Sequence, residues 1–211
     1  MTLRLNGSTS GYTEIDAPAV AGSNTLVLPG GNGSADQVLA TNGSGTLSFV
    51  DRGRMVLETA KASTSGTSID FTGIPSWVKR VTVMLNGVST NGTSVVQIQL
   101  GHSGGIETSG YLGSASYISS TLNTTGSTNL SSGFITTFGS ASNIRHGSIV
   151  VQAISGNIWS ANGAIGLSDI GSVQFTTGTK SLSGTLDRIR ITTVNGTDTF
   201  DAGSINILYE G

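Results

Sequence analysis

The sequence VTVML, at residues 81–85, places an apolar residue at every second position, and VVQIQL, at residues 95–100, contains a similar alternation. Ile189 and Ile191 continue it later in the chain. This period is typical of a strand with one buried face, because successive side chains of a strand point to opposite sides of a sheet. No stretch of comparable length has the 3.6-residue period of a helix, so the sequence predicts a β-protein.

Apolar and β-branched runs recur through residues 54–211, with turn signals between them. Asn-Gly pairs favour hairpin turns because both residues tolerate a positive φ; here they begin at Asn86, Asn91, Asn162 and Asn195. About ten short strands joined in this way predict an antiparallel β-sandwich that resembles a jelly roll. The predicted strands are residues 55–57, 81–85, 95–100, 111–118, 134–138, 148–154, 157–165, 173–175, 186–194 and 205–209.

Residues 1–53 have a different character. Their apolar groups, at residues 25–28, 38–39 and 47–50, are short and are separated by Gly, Asn and Ser. Such groups indicate small hairpins with one thin apolar face, and a two-stranded ribbon is marginally stable alone in water. We therefore expect this segment to be an oligomeric β-hairpin stalk or anchor, in which copies of the segment bury their apolar faces against one another.

Composition excludes several classes of protein. Gly, Ser and Thr make up 90 of the 211 residues, only 10% are charged, and the net charge is -2. Ten basic residues give no electrostatic footprint for a nucleic-acid backbone. The absence of Cys excludes disulfides and thiolate metal sites. The opening residues, MTLRLNGSTS, carry no apolar segment, so we expect no signal peptide and no membrane insertion.

Charge is nearly absent from the middle of the chain. Between Arg80 and Arg145 the single formal charge is Glu107, among many hydroxyl side chains. Burying an incompletely paired polar group costs about 1–3 kcal/mol. A surface with few charges therefore suits contact with a neighbouring subunit or with a neutral glycan.

Three segments stand out: LPGGNGSADQVLATNGSGTLSFVD at residues 28–51, DFTGIPSWVKRVTVMLNGVSTNGT at residues 70–93, and RIRITTVNGTDTFDAGSINILYEG at residues 188–211. They resemble sequences found in tail fibre and tail-associated proteins of tailed bacteriophages and prophages. Such proteins occur in phages of many hosts, and aquatic phages, including cyanophages, are one source consistent with the resemblance.

This resemblance implies a homotrimeric receptor-binding fibre in the virion tail. Residues 1–53 would join other tail or baseplate proteins, and the C-terminal β-domain would face a host surface polysaccharide. The choice of a trimer over a dimer depends partly on the family and partly on the stalk. Its thin apolar faces are best buried when three chains each contribute one to a common core.

Aromatic side chains are the first candidates for glycan binding, because sugar rings stack on aromatic planes. Tyr111 and Tyr117 lie in the nearly uncharged stretch, and Trp159 lies in a predicted strand where a core or subunit contact is the alternative. His102 and His146 are the two histidines. For each we weigh an ordinary surface or turn position against a glycan or subunit contact and a metal; we expect no metal site and no cofactor.

Enzyme activity is not expected. A glycoside hydrolase needs two carboxyl groups across a cleft, and the nearest approach to such a pair, Asp198 and Asp201, is typical of a turn. A serine nucleophile elbow would need Gly-x-Ser-x-Gly between a strand and a helix, and no helix is predicted after the GHSGG run at residues 101–105. The alternative functions are a structural tail or head accessory protein without receptor contact and, third, a small depolymerase.

Overall fold

The computed structural model describes residues 3–20, 22–119, 124–137 and 139–211. Their elements are eighteen β-strands with turns and loops between them, and no helix occurs among them. The chain divides into two compact units, Met1–Arg52 and Gly53–Gly211. The all-β fold class is confirmed. The described residues contain no helix that is long and apolar enough to cross a membrane.

The first unit contains two separate antiparallel hairpins. Strands β1 (Leu3–Asn6) and β2 (Tyr12–Ile15) form one, and strands β3 (Gln37–Thr41) and β4 (Leu47–Asp51) form the other. The Asn42-Gly43 pair lies in the β3–β4 turn, where Gly43 has a φ of 81°. The apolar group at residues 25–28 contributes one isolated bridge, between Val27 and Thr46.

The second unit contains fourteen strands in two sheets. They are β5 (Met55–Leu57), β6 (Lys61–Ala62), β7 (Ser68–Thr72), β8 (Arg80–Thr90), β9 (Val96–His102), β10 (Gly105–Ile106), β11 (Tyr111–Ser119), β12 (Thr124–Asn129), β13 (Phe134–Ile135), β14 (Arg145–Ser155), β15 (Ile158–Leu167), β16 (Ser172–Ser181), β17 (Arg188–Thr193) and β18 (Phe200–Glu210).

The larger sheet has the strand order β12-β11-β16-β15-β14-β8-β18-β5, with β6 also paired to β18. The smaller sheet has the order β10-β9-β17-β7, with β13 also paired to β9. Every pairing in both sheets is antiparallel. The predicted antiparallel sandwich is therefore confirmed.

One hydrophobic core joins the two sheets. Val81 and Val83 of β8 are buried in it together with Ile189 and Ile191 of β17, which belong to the opposite sheet. The alternation in these strands places their polar residues on the outer faces, as the period of two requires. Strand β9 departs from this pattern, because its glutamines are buried as well.

Two of the predicted hairpin corners are wrong. Asn86-Gly87 lies inside β8 at a shift in register, where Gly87 has a φ of 67°. Asn162-Gly163 lies in the middle of β15. A Cβ at Gly163 would lie 2.4 Å from the carbonyl oxygen of Ser148, so this glycine permits close approach of two strands.

Some strand boundaries also differ from the prediction. The predicted strand at residues 134–138 is reduced to Phe134–Ile135, and residue 138 lies outside the described residues. Strands β6, β7, β10 and β12 were not predicted. All four are edge strands or short additions, and those other than β7 have few apolar residues, so they carry little periodic signal.

Candidate functional site

Tyr111 and Trp159 are core residues, 2% and 4% exposed. The Tyr111 hydroxyl accepts a hydrogen bond from Leu100 N (2.7 Å) and donates one to the carbonyl oxygen of Glu107 (3.0 Å). Its ring meets Phe134 edge to face, with centroids 5.1 Å apart. Neither Tyr111 nor Trp159 can stack on a ligand, which corrects the prediction for these two positions.

Tyr117 is half-buried and lies close to the edge of the larger sheet. Its ring lies over the backbone of Gly126 on β12, where a Cβ would come within 2.4 Å of the Tyr117 Cε1 atom. A shallow depression beside it is lined by Ser116, Ile118 and Ser127. Tyr117 is thus the one predicted aromatic ligand residue that keeps some exposed surface.

The two histidines have the same hydrogen-bond arrangement at separate places. His102 Nδ1 accepts a bond from the backbone N–H of Gly104 (3.0 Å), and its Nε2 lies 3.0 Å from Ser183 Oγ. His146 Nδ1 accepts from Gly87 N–H (3.2 Å), and its Nε2 lies 3.3 Å from Ser168 Oγ. Each histidine ring therefore accepts a hydrogen bond from the backbone N–H of a glycine, Gly104 or Gly87.

Glu107 is the centre of a polar cluster beside His102. Its carboxylate accepts hydrogen bonds from Lys180 Nζ and, at 2.7 and 2.8 Å, from the backbone N–H and hydroxyl of Ser183. Burial raises the pKa of Glu107, but the bonds from Lys180 and Ser183 outweigh it and lower the pKa from 4.5 to about 2. The only formal charge of the middle segment is therefore neutralised by Lys180.

Ser183, His102 and Glu107 have the residue types of a catalytic triad, but their hydrogen bonds run in the opposite direction. Because His102 Nδ1 accepts a backbone N–H, the neutral ring carries its proton on Nε2 and donates it toward Ser183 Oγ. The Ser183 hydroxyl in turn donates to Glu107. A triad needs the histidine to accept the serine proton, and here the bonds of His102 and Glu107 instead tie Ser183 to the end of β9.

Asp198 and Asp201 have separate partners. Asp198 accepts hydrogen bonds from Asn195 Nδ2 (2.6 Å) and Ser94 N–H (2.9 Å), and these bonds lower its pKa. Asp201 accepts a bond from the Ser89 hydroxyl. Each carboxylate therefore holds neighbouring backbone or side chains. Among the described residues no three His, Asp or Glu side chains are placed to hold a metal ion.

The outer face of the smaller sheet carries a polar groove that sequence reasoning missed. Two rows of paired residues cross it: Gln97 opposite Thr192 opposite Ser68, and Gln99 opposite Arg190 opposite Asp70. A cavity of about 290 Å³ lies over these rows. Its lining includes Thr67, Thr108, Ser132, Thr193, Val194 and Gly196 as well as most of the two rows.

Most of the groove's polar side chains are fixed by hydrogen bonds. Gln97 accepts from the Ser132 hydroxyl (2.8 Å), and Gln99 Nε2 donates to the Ser132 carbonyl oxygen (2.9 Å). Arg190 donates through Nε and Nη2 to the two oxygens of Asp70, at 2.7 Å each. The alternation of VVQIQL was a usable signal for two groove residues, but it could not show which strand lies beside them.

The outer face of the larger sheet exposes apolar side chains, unlike the polar groove of the smaller sheet. Ile118 lies opposite Val173, and Ser116 lies opposite Phe175. Ile118, Val173 and Phe175 are exposed, as are Leu112 on β11 and Leu57 at the other end of the sheet.

Comparison with protein-family models, with curated proteins and with solved structures finds no match to this chain.

Proposed function

We propose that this protein is a homotrimeric tail fibre protein of a tailed bacteriophage that attaches the virion to a glycan on the host surface. The observation that carries the proposal is the incomplete burial of the N-terminal unit. The resemblance of residues 28–51 to phage fibre stalks supplies the biological setting.

None of the described residues of the N-terminal unit is buried. The unit exposes apolar side chains along both hairpins and between them: Leu3, Leu5, Tyr12, Ile15, Val20, Leu26, Val27, Leu28, Val38, Leu39 and Val50. Contiguous exposed apolar surface marks an interaction site, and isolated hairpins are marginal in water. Association of these strips around a threefold axis would give each chain the core that it lacks.

The C-terminal unit supports recognition of an uncharged surface polymer. Its groove presents amide and hydroxyl groups on a rigid sheet, and its one cation is paired with Asp70. The reversed hydrogen bonds of Ser183 and His102 and the separate partners of Asp198 and Asp201 favour a non-enzymatic role over a depolymerase. Three such units on one fibre would bind avidly even if each bound weakly.

A second candidate function is a structural tail or head accessory protein. The exposed apolar residues on the outer face of the larger sheet, Leu112, Ile118, Val173 and Phe175, favour it. Such a face is suited to packing against other virion proteins or against the same sheet of another chain. In this case the chain would connect virion components and would not contact a receptor.

Binding of the labelled full-length protein to candidate host cells tests the proposal. We expect saturable binding that excess soluble surface polysaccharide abolishes, and gold-labelled antibody against the chain at the virion tail in electron micrographs. Label at the tail or head without cell binding would instead favour the accessory role. Breakdown of the polysaccharide by the protein would establish the depolymerase.

A further inference from the structure

We propose that the groove on the outer face of the smaller sheet binds an uncharged polysaccharide chain, with Gln99 and Arg190 recognising neighbouring hydroxyl groups of one sugar. This inference deepens the proposed function and rests on it. It assigns recognition to the smaller sheet and not to the aromatic residues that the sequence suggested.

Gln99 has an unused acceptor. It is 4% exposed, and its amide nitrogen donates to the Ser132 carbonyl oxygen, which fixes the orientation of the amide. Within the described part of the chain, its Oε1 atom accepts no hydrogen bond. Gln99 lines the cavity, so a hydroxyl donor on a bound ligand can supply the hydrogen bond that its Oε1 atom does not receive from the described residues.

Arg190 supplies the matching donor. Asp70 engages its Nε and Nη2 atoms and holds the guanidinium in a fixed plane. The Nη1 atom has no hydrogen-bond partner among the residues described in the structure. Arg190 and Gln99 are directly paired across β17 and β9 and line the same cavity, so the donor and the acceptor belong to one site.

Two neighbouring hydroxyl groups on a sugar ring suit this pair. Each hydroxyl can both donate and accept, so one can donate to Gln99 while the next accepts from Arg190. The Arg190 charge is balanced by Asp70 at 2.7 Å, which removes the net attraction that an acidic sugar would need. The site therefore favours uncharged sugars.

A second cavity adjoins the first. It has a volume of about 350 Å³, shares Ser132 and Val194 with the first cavity and continues past Asn129 and Ile135. Val194 is 47% exposed and offers an apolar patch for the C–H face of a ring. Protein sites for small ligands have volumes of about 300–1,000 Å³, so the two cavities together suit a chain segment.

The test uses the full-length protein and immobilised polysaccharides. Dextran, mannan, galactan and xylan provide uncharged chains, and alginate and heparin provide anionic ones. Gln99→Met removes the amide oxygen while keeping the side-chain length, and Arg190→Lys keeps the charge but not the planar fork. Arg188→Lys is the matched control, because Arg188 lies on the same strand, pairs with Asp187 at 2.7 Å and lies outside the groove lining.

We expect the wild type to bind at least one uncharged polysaccharide, with affinity reduced about tenfold or more by Gln99→Met and by Arg190→Lys. Arg188→Lys should bind like the wild type, and thermal unfolding should show that all variants are folded. If the groove variants bound as well as the wild type, the groove proposal would be overturned and the proposed attachment function would be left intact. Binding to anionic chains alone, or to none of the panel, would overturn the groove proposal, while the cell-binding experiment independently decides the attachment function.

Discussion

At the scale of single residues, ionisable and hydroxyl groups in the second unit mainly hold loops in place. Glu107 joins Lys180, Ser183 and His102 at the end of β9. Because its folded-state pKa is below the ordinary value, its ionised form stabilises the fold fully above about pH 4.5, and this contribution is lost as pH falls toward 2.

Glu107→Gln should weaken this pH dependence. We expect the free energy of unfolding of the wild type to fall by about 2 kcal/mol more than that of the variant between pH 4.5 and 2. Denaturant unfolding at a series of pH values measures the free energy of unfolding of the wild type and of the variant. Parallel pH profiles for the two proteins would contradict the assigned role of Glu107.

Tyr111→Phe separates a core role from a ligand role. The variant keeps the ring but leaves the Leu100 N–H without its partner, so we expect a loss of about 1–3 kcal/mol in the free energy of unfolding. Binding to host cells should be unchanged below the unfolding temperature, because the ring is buried. A folded variant that lost cell binding would contradict this assignment.

At the scale of elements, close approach of strands decides which glycines are required. Gly163 on β15 lies opposite Ile149 of β14, and a Cβ there would lie 2.7 Å from the Ile149 Cα atom. Gly166 on the same strand has its nearest atom, the His146 carbonyl oxygen, 3.8 Å from a Cβ. The two glycines therefore differ in the space around them, although both lie on β15.

Gly163→Ala and Gly166→Ala form a matched pair. We expect Gly163→Ala to reduce the free energy of unfolding by about 1–3 kcal/mol, because β14 must move. Gly166→Ala should change it by no more than about 0.5 kcal/mol. Thermal or denaturant unfolding measures the difference, and equal losses would show that strand spacing at Gly163 is not limiting.

At the scale of the whole molecule, the two units differ in how much hydrophobic core each of them contains. All members of the hydrophobic core cluster lie in the second unit, Gly53–Gly211, and the described part of the first unit buries no residue. Residues 53–211 therefore contain a complete core. We propose that contacts with other chains stabilise the first unit.

Removing residues 1–52 should abolish assembly without unfolding the sandwich. By sedimentation at micromolar concentration we expect a trimer for the full chain and a folded monomer for residues 53–211, because the exposed apolar strips are removed. The truncated protein should also bind host cells more weakly, since avidity requires linked sites. A trimer formed by residues 53–211 would place the interface on the sandwich, with the outer face of the larger sheet as the first candidate.

The sequence by itself determined the fold class, because alternation such as that of Val81, Val83 and Leu85 depends only on local strand geometry. It also predicted most long strands. Turn chemistry was less reliable. Asn162-Gly163 has the residues of a hairpin corner, but the packing of β14 against β15 requires that glycine inside a strand.

Only the tertiary structure decided the candidate site. Tyr111 and Trp159 have the chemistry of sugar platforms, yet whether a ring in a strand faces the core depends on the sheet packed over it. Gln99, Arg190 and Asp70 are far apart in the sequence and become neighbours because β9, β17 and β7 are adjacent in one sheet. Strand order is a long-range property, so residues chosen for their chemistry alone could not identify the groove.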